Sequence, residues 1–269
     1  VQLQASDAAG NTSTCSFSIT VVDAQAPSFT APANITVPAD LGSCSAVVNY
    51  TLPTATDACD GSIPTSAVDG AQTPGSSFPL GVTTVLLRAM DAAGNSTDHS
   101  FTITVQDQQA PTFSCPANIS LGVEPALCGA HVTYALPTAT DNCAASLPVT
   151  PVNPAFASGS LFPVGITTVQ LNSTDAAANT GTCSFTITVI DDVAPTFTCP
   201  SNVSVNTDLG VCGANVTYAL PTANDPCDGA VPVTAVNNAQ TPGSFFPTGT
   251  TSVQLQASDA AGNTSTCSF

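Results

Sequence analysis

Residues 46–52 read AVVNYTL, with apolar side chains at every second position. Because successive residues of a strand point to opposite faces of a sheet, this alternation predicts a β-strand with one buried face. The pattern returns 84 and 168 residues later, and similar alternation with Thr precedes each linker. The positions predicted to face inward are Ala46, Val48, Tyr50, Leu52, Phe101, Ile103, Val105, Ala130, Val132, Tyr134, Leu136, Phe185, Ile187, Val189, Ala214, Val216, Tyr218, Leu220, Val253, Leu255 and Ala257.

The spacing of 84 residues runs through the whole chain. Three related Ala-Pro segments place their prolines at Pro27, Pro111 and Pro195, and residues 1–17 are identical to residues 253–269. Self-similarity at a fixed period indicates a tandem array in which each repeat is one structural unit. We predict a C-terminal fragment of one repeat (1–23), then repeat 1 (24–108), repeat 2 (109–192) and repeat 3 (193–269), whose last strand is truncated.

Turn residues separate the predicted strands, and no helical periodicity competes with them. Gly, Pro, Asn and Asp recur at intervals of about 8–12 residues, which is typical of an all-β sandwich. Trp is absent, so Phe, Val, Ile, Leu and Tyr must build the core. We therefore predict an all-β fold of tandem immunoglobulin-like β-sandwich domains arranged end to end.

Four motifs carry a family resemblance. They are APTFSCPANIS (110–120), CGAHVTYALPTATDNC (128–143), TDAAANTGTCSFTITVID (174–191) and a Phe-Pro-x-Gly turn in each repeat, at residues 78–81, 162–165 and 246–249. The repeat resembles the HYR (hyalin repeat) domain along the whole chain. That resemblance implies an immunoglobulin-like module of extracellular and adhesive proteins, without specifying one biological role.

The charge balance excludes several functions. The chain has 18 acidic residues, one Arg (Arg88) and no Lys, so it has almost nothing to neutralise phosphates. Nucleic-acid partners and anionic membrane surfaces are disfavoured for that reason. No apolar run is long enough to span a bilayer, so we predict no membrane insertion in this segment.

Eleven cysteines at regular positions favour an oxidising, extracellular setting. No C-x-x-C pair occurs, which disfavours zinc. Each repeat has four cysteine positions: the first at Cys115 and Cys199; the second at Cys44, Cys128 and Cys212; the third at Cys59, Cys143 and Cys227; the fourth at Cys15, Cys183 and Cys267.

Repeat 1 replaces the first and fourth positions together, with Ala31 and His99. Joint loss implies that these two positions are bonded, since loss of one partner alone would leave a lone thiol. The partner of Cys15 is expected 68 residues earlier; without such a domain, Cys15 is free or intermolecular. The predicted bridges are Cys115–Cys183, Cys199–Cys267, Cys44–Cys59, Cys128–Cys143 and Cys212–Cys227.

Acidic residues concentrate where repeats meet. In an immunoglobulin-like domain the B–C and F–G loops lie at the pole where the preceding linker enters. Oxygen ligands from these three segments suit Ca²⁺. The alternative is that Asp and Asn simply make the turns through side-chain-to-backbone hydrogen bonds. The candidate ligands are Asp23, Asp57, Asp60, Asp91 and Asn95 at the first junction; Asp107, Asp141, Asp175 and Asn179 at the second; and Asp191, Asp192, Asp225, Asp228, Asp259 and Asn263 at the third.

N-x-S/T sequons are frequent, and glycosylation is plausible for a secreted chain. Asn49 and Asn215 fall on outward strand positions. The candidate sites are Asn34, Asn49, Asn95, Asn118, Asn172, Asn202 and Asn215, and sequons also occur at Asn11 and Asn263.

Catalysis has little basis in the sequence. The two histidines, His99 and His131, lie on predicted strands, and no nucleophile–base arrangement recurs. We therefore predict a non-enzymatic protein.

Two functions remain. We favour a structural one: a segment of a secreted filament or stalk whose partners are neighbouring copies along a fibre. Strand donation between subunits is a weaker variant. The alternative is a cell-surface adhesin binding a carbohydrate or protein receptor, which an exposed aromatic cluster in one repeat would favour. Most aromatic positions are inward and recur, with Phe29, Phe156 and Phe245 as the candidate exceptions.

Overall fold

The computed structural model describes residues 1–269, apart from the side chain of Ala239. Within that described chain the regular elements are strands and short 3-10 turns. The N-terminal fragment is one antiparallel hairpin of β1 (Gln2–Ser6) and β2 (Thr12–Ser16). Every residue of this hairpin is exposed, because no second sheet covers it.

Repeat 1 forms a complete two-layer sandwich. The chain continues through β3 (Ile35–Pro38), β4 (Ser45–Val48), β5 (Thr54–Asp57), β6 (Gly61–Pro64), β7 (Ser66–Ala67), β8 (Ser76–Pro79), β9 (Gly81–Met90) and β10 (Ser96–Gln106). One layer is a four-stranded sheet in the order β3-β10-β9-β7, in which β3 is parallel to β10. The pairs β4-β8 and β5-β6 form the other layer.

Repeat 2 repeats this topology. Its strands are β11 (Ile119–Gly122), β12 (Gly129–Val132), β13 (Thr138–Ala139), β14 (Leu147–Pro148), β15 (Thr150–Pro151), β16 (Ser160–Pro163), β17 (Gly165–Thr174) and β18 (Thr180–Ile190). The sheet order is β11-β18-β17-β15, with the pairs β12-β16 and β13-β14 opposite. The same strands in the same order show that the 84-residue period is a structural period.

Repeat 3 contains β19 (Gly213–Val216), β20 (Thr222–Asp225), β21 (Gly229–Ala235), β22 (Ser244–Pro247), β23 (Gln254–Ser258) and β24 (Thr264–Ser268). Residues 203–206, the counterpart of β3, form no strand, because the stretch that pairs with β3 would follow Phe269. A groove of about 550 Å³ opens there, lined in part by Val205, Tyr218 and Phe246.

The predicted alternation produces the core. In repeat 1 the buried cluster joins Val48, Phe78, Leu87 and Ile103 from both layers, and repeat 2 buries the equivalent Val132, Phe162, Leu171 and Ile187. In repeat 3 Leu255 is buried, whereas Val216 and Phe246 are only partly buried. This packing of two sheets face to face confirms the predicted β-sandwich. One part of the inward pattern is wrong: Leu52, Leu136 and Leu220 are exposed. The first strand of each alternating run ends before the tyrosine, so the leucine lies in the irregular segment that follows.

Each repeat ties its tyrosine to a 3-10 turn. The Tyr134 hydroxyl donates to the carbonyl of Phe156 at 2.5 Å, and Tyr50 and Tyr218 make the equivalent bonds to Gln72 and Gln240. A buried phenol needs such an acceptor. This contact fixes a loop against the core in every repeat.

The Phe-Pro-x-Gly turn requires glycine. Gly81, Gly165 and Gly249 have φ of 98°, 110° and 120°, a region that side chains with a Cβ rarely adopt. The turn therefore directs β9 and β17 back along the sandwich.

The chain divides into two compact units. One comprises residues 1–110, 141–145 and 176–179, and the other comprises 111–140, 146–175 and 180–269. Two loops of repeat 2 therefore belong to the same unit as repeat 1.

Candidate functional site

The first and fourth cysteine positions are bonded within a repeat. Cys115 is bonded to Cys183, and Cys199 to Cys267, with Cα atoms 5.8 Å apart in both bridges. Each bond joins the segment before the first-strand position to the closing strand, β18 or β24. These are the two pairs predicted from the joint loss in repeat 1. In repeat 1, where His99 replaces the fourth cysteine, the ring of His99 instead lies edge-on to the ring of Phe29, with 4.9 Å between the ring centroids.

The second and third positions are bonded between repeats, not within one. The structure contains Cys44–Cys143 and Cys128–Cys227, each with a sequence separation of 99 residues. The predicted bridges Cys44–Cys59, Cys128–Cys143 and Cys212–Cys227 are therefore wrong. Within repeat 1 the segment between the two positions contains β4 and β5. A fully extended run of 15 residues would span about 50 Å, whereas bonded cysteines need Cα atoms about 4–7 Å apart.

Each inter-repeat bond joins the same two local structures. The second position lies in the loop before β4, β12 or β19, and the third lies in the turn after β5, β13 or β20. Among the described residues, three cysteines remain free and exposed: Cys15, Cys59 and Cys212. Cys59 is thus a third position and Cys212 a second position, and the residues 99 positions away that would correspond to their partners lie outside residues 1–269.

The third junction gathers four carboxylates. One ligand oxygen from each of Asp191, Asp225, Asp228 and Asp259 lies within 4.8 Å of the others. Asp225 is the most enclosed, with 1% of its surface exposed. Its Oδ1 accepts backbone N–H groups of Cys227 and Asp228 at 2.7 and 3.1 Å, whereas its Oδ2 has no hydrogen-bond partner. A buried carboxylate oxygen without a donor is costly unless a cation or proton satisfies it.

Backbone amides fix the other carboxylates of this cluster. Asp228 Oδ2 accepts the N–H of Ala260 at 2.7 Å, and Asp259 accepts the backbone N–H and the side-chain amide of Asn263 at 2.7 and 2.9 Å. The linker is held as well, because the Asn263 amide donates to the carbonyl of Asp191 at 3.0 Å. The cluster is therefore assembled from three chain segments, as the sequence predicts.

The pKa values reflect this crowding. Burial raises the pKa of Asp191, and the negative charges of Asp225, Asp259 and Asp228 raise it further, against a hydrogen bond from Val193. Burial also raises the pKa of Asp259, but hydrogen bonds from Asn263 and its turn outweigh that effect and leave the pKa below its ordinary value. The cluster contains one carboxylate that resists ionisation and one that is held ionised.

The first junction resembles the third. Ligand atoms of Asp23, Asp60 and Asp91 lie within 4.8 Å of one another, and those of Asp23, Asp57 and Cys59 form an overlapping group. Asp57 is buried and its Oδ2 has no partner. The charge of Asp23 raises the pKa of the Cys59 thiol. Burial raises the pKa of Asp91. Hydrogen bonds from the side chain and backbone of Asn95, and from the backbone N–H groups of Gly94 and Ala93, outweigh burial and leave the pKa below its ordinary value.

The second junction is poorer in acids. The group contains Asp107 and Asp141 with the bonded Cys143. Ala144 occupies the position of Asp60 and Asp228, so one carboxylate is absent from the turn. Asp141 Oδ2 is again without a hydrogen-bond partner.

Four predicted ligands have other positions or partners. Asp192 is exposed, with its carboxylate against Gly122, while Asp175 is half-buried just after β17. The amides of Asn95 and Asn179 donate to the carbonyls of Asp23 and Asp107 at 3.2 and 3.3 Å. Together with Asn263, they act in the structure as clamps that hold each linker against its F–G turn.

The sequons differ in how free their amide nitrogens are. Asn49 and Asn202 are exposed, as is Asn215, whose amide lies 3.5 Å from Asp208. The side-chain carbonyls of Asn34 and Asn118 accept backbone N–H groups, and that of Asn172 accepts the Thr150 hydroxyl. In contrast, the Asn95 amide donates to Asp91 as well as to Asp23, so a glycan there, which replaces one amide hydrogen, would break at least one of these bonds.

The aromatic exceptions do not cluster. Phe29 packs against the core of repeat 1, and Phe156 stacks on Phe162 with centroids 5.8 Å apart. Phe245 is half exposed and lies against Gly213. Of the two histidines, His131 pairs with Glu124 at 3.0 Å on the surface.

Comparison with known proteins agrees with the repeat architecture. The HYR domain matches residues 22–105, 106–189 and 190–269. The chain is 37% identical to hyalin of Strongylocentrotus purpuratus, covering 98% of this chain and 22% of that protein. It is 36% identical to hyalin of Lytechinus variegatus, covering 97% of this chain and 49% of that protein. The chain thus spans less than half of either relative.

Among solved structures, the protocadherin gammaB4 extracellular domain aligns over 99% of this chain and 58% of its own. The identity is 13% and the TM-score 0.37, too low to support an argument. No helix among the described residues is long and apolar enough to cross a membrane.

Proposed function

The chain belongs to the HYR domain family, and from that premise we propose that it is a segment of a secreted, load-bearing filament or stalk. The observation that carries the proposal is the pair of bridges Cys44–Cys143 and Cys128–Cys227. Each bond connects one repeat directly to the next and bypasses 99 residues of backbone. A pulling force applied along the chain would pass through these bonds even when the intervening strands separate.

The bridges support an extracellular location. Four disulfides persist in oxidising compartments and are rare where thiols are kept reduced. A closed loop of about 100 residues restricts the unfolded chain by roughly 4–5 kcal/mol in the chain-entropy description. Such bonds favour long survival outside a cell over regulated turnover.

Calcium is the cofactor that we propose for the first and third junctions. The acidic turns offer hard oxygen donors, which Ca²⁺ prefers. Asp57 and Asp225 each have a buried carboxylate oxygen without a hydrogen-bond partner, and a cation would satisfy it. At the third junction the ion would be held by Asp191, Asp225, Asp228 and Asp259. It would neutralise repulsion within the cluster and stiffen the linker.

The second junction supplies the internal control for calcium. It has Ala144 where the other two have Asp, so its group contains fewer carboxylates. We expect calorimetric titration of Ca²⁺ into the chelator-treated chain to give two strong sites rather than three. Absence of heat and of any change in melting temperature would remove calcium from the account while leaving the bridges intact.

Adhesion is the alternative function for an HYR array. An exposed aromatic patch confined to one repeat would favour it, and Phe245 lies exposed without the other candidates beside it. Binding of carbohydrate or of a receptor is therefore the second candidate, and neighbouring copies of the array are the preferred partners.

Single-molecule stretching tests the load-bearing proposal. A fully reduced chain of 269 residues extends to roughly 900 Å at about 3.4 Å per residue. With the bridges intact, the shortest covalent route reduces that limit to about 300 Å, again at 3.4 Å per residue. That route crosses from Cys44 to Cys143, from Cys128 to Cys227 and from Cys199 to Cys267. Equal extensions with and without reductant would contradict the proposal.

A further inference from the structure

We propose that Asn34 and Asn118 carry N-linked glycans, which shield the open edge of the four-stranded sheet in repeats 1 and 2. The two asparagines begin the sequons Asn-Ile-Thr and Asn-Ile-Ser at equivalent positions of the two repeats. The inference assumes the secreted location proposed above. It adds a covalent modification and a protective role that neither the disulfides nor the acidic junctions provide.

Both asparagines are fixed through the side-chain oxygen, which leaves the nitrogen free. Asn34 Oδ1 accepts the backbone N–H of Thr102 at 2.9 Å, and Asn118 Oδ1 accepts that of Thr186 at 2.9 Å. Both asparagines are exposed, and their Nδ2 atoms make no hydrogen bond among the described residues. Because a sugar attaches to Nδ2, a glycan at either residue leaves the contact of Oδ1 intact.

The sequon at Asn95 shows the opposite arrangement. Its Nδ2 donates to the carbonyl of Asp23 at 3.2 Å and to Asp91 Oδ2 at 2.8 Å. A glycosylated Nδ2 retains one hydrogen, so it cannot make both bonds. The folded structure therefore accommodates a glycan at Asn34 and Asn118, but it would lose a contact of the linker with a glycan at Asn95.

Each of the two asparagines lies one residue before an edge strand. β3 begins at Ile35 and β11 begins at Ile119, and the orders β3-β10-β9-β7 and β11-β18-β17-β15 place both strands at the edge of a sheet. The hydrogen bonds from Thr102 and Thr186 come from the residues just before the segments that pair with β3 and β11. A glycan on either asparagine therefore begins at the open edge.

These edges lack the usual protection. An edge strand presents unpaired backbone N–H and C=O groups, and proteins commonly block such an edge with charged side chains, above all lysine. β3 (ITVP) and β11 (ISLG) contain no charged residue, and the whole chain contains no Lys. A bulky, hydrophilic glycan at the start of each strand supplies the missing barrier to pairing with another chain.

The donor in this modification is an oligosaccharide linked through a diphosphate to a polyprenyl lipid. The hydroxyl residue of the sequon, Thr36 or Ser120, completes the acceptor site. The asparagine Nδ2 forms a bond to C1 of the first N-acetylhexosamine, and the bond between C1 and the diphosphate oxygen breaks. The lipid diphosphate leaves with the bonding electrons, and Nδ2 releases one proton. No group is oxidised or reduced.

The test for the glycans uses the full chain secreted from cultured animal cells. Peptide N-glycosidase in H₂¹⁸O converts each glycosylated asparagine into an aspartate that carries ¹⁸O, and mass spectrometry of the peptides identifies these positions. We expect nearly complete labelling of Asn34 and Asn118 and no labelling of Asn95. Absence of the label from either Asn34 or Asn118, or equal labelling of Asn95, would overturn the inference.

Substitution of the hydroxyl residues tests the shielding role without altering the asparagines. Thr36→Ala with Ser120→Ala removes both sequons and retains Asn34 and Asn118. We expect this variant to aggregate several-fold faster than the glycosylated chain under agitation, as measured by light scattering and by the fluorescence of a β-sheet-binding dye. Thr36→Ser with Ser120→Thr is the matched control, because it changes the same side chains and retains both sequons.

Trimming of the glycans gives the same comparison without a substitution. An endoglycosidase that leaves only the first sugar should also accelerate aggregation of the folded chain. Equal aggregation of the two variants, or no acceleration after trimming, would overturn the shielding role. Neither result changes the extension limit set by the internal bridges, so failure of this inference is distinguishable from failure of the load-bearing function.

Discussion

The second and third junctions each contain one inter-repeat disulfide, but they differ in the number of carboxylates around it. Cys143 and Cys227 lie in equivalent turns of repeats 2 and 3, and each is bonded to the second cysteine position of the preceding repeat. The next residue is Ala144 in repeat 2 and Asp228 in repeat 3. The bridge between repeats is thus independent of the acidic cluster. One chain contains a junction that is chiefly covalent beside one that combines a covalent bond with a candidate ion site.

The difference extends to the hairpin beneath the turn. Gly229 has a φ of 71° and lets β20 and β21 pair from Asp225 onward. Repeat 2 has Ala145 at that position, and β13 and β14 shrink to two residues each. Because alanine resists positive φ, loss of the glycine shortens the hairpin while loss of the aspartate removes the carboxylate.

Removal of an inter-repeat disulfide should have the largest effect on the free energy of unfolding, and the loss should be similar at the second and third junctions. Cys128→Ser with Cys227→Ser, and Cys44→Ser with Cys143→Ser, should each lower the free energy of unfolding by up to roughly 4–5 kcal/mol. Denaturant titration in the presence of a chelator measures both. Losses below about 1 kcal/mol would mean that the bridges do not restrict the unfolded chain.

Asp225→Asn should reduce stabilisation by Ca²⁺ at the third junction, whereas the equivalent substitution at the second junction should not. At a Ca²⁺ concentration 100 times the dissociation constant, binding to the folded state adds about 2.7 kcal/mol, and the substitution should remove that gain at the third junction. Asp141→Asn is the control at the second junction. The measurement is the rise in melting temperature that Ca²⁺ causes in each variant. An equal loss of this rise in Asp225→Asn and Asp141→Asn would contradict the account.

Conversion of the second junction should reverse the difference. Ala144→Asp with Ala145→Gly restores both the carboxylate and the turn residue found in the other repeats. We expect the stoichiometry of strong Ca²⁺ binding to rise from two to three. Ala144→Ser with Ala145→Gly controls for the longer hairpin; an equal rise with this variant would show that the carboxylate is not the determinant.

The smallest effect concerns pH. Burial and neighbouring charges raise the pKa of Asp191, so its ionised form is disfavoured in the folded, calcium-free state. Above the folded pKa this penalty is fully present, and it disappears as the pH falls through that value. Asp191→Asn should therefore raise the melting temperature at pH 7 in chelator and give a shrinking advantage on acidification. An advantage that grows on acidification would contradict the assigned cause.

The sequence predicted the sandwich because its signals are local. The alternation of apolar and polar residues around Val48 and Ile103 predicts which side chains are buried. The replacement of two cysteines together, by Ala31 and His99, predicts which cysteine positions are bonded. The inter-repeat bridges left no such trace, because the second and third cysteine positions are occupied in every repeat and never vary together. Sequence position also could not show that Asp192 lies against Gly122 rather than within the cluster, since that depends on packing.

Mapping of unreduced peptides tests the central claim most directly. Cleavage before aspartate separates Cys44 from Cys59 at Asp57, and Cys128 from Cys143 at Asp141. The account requires Cys44 to remain joined to the peptide of Cys143, and Cys128 to that of Cys227. Recovery of Cys44 bonded to Cys59, or of Cys128 bonded to Cys143, would contradict it.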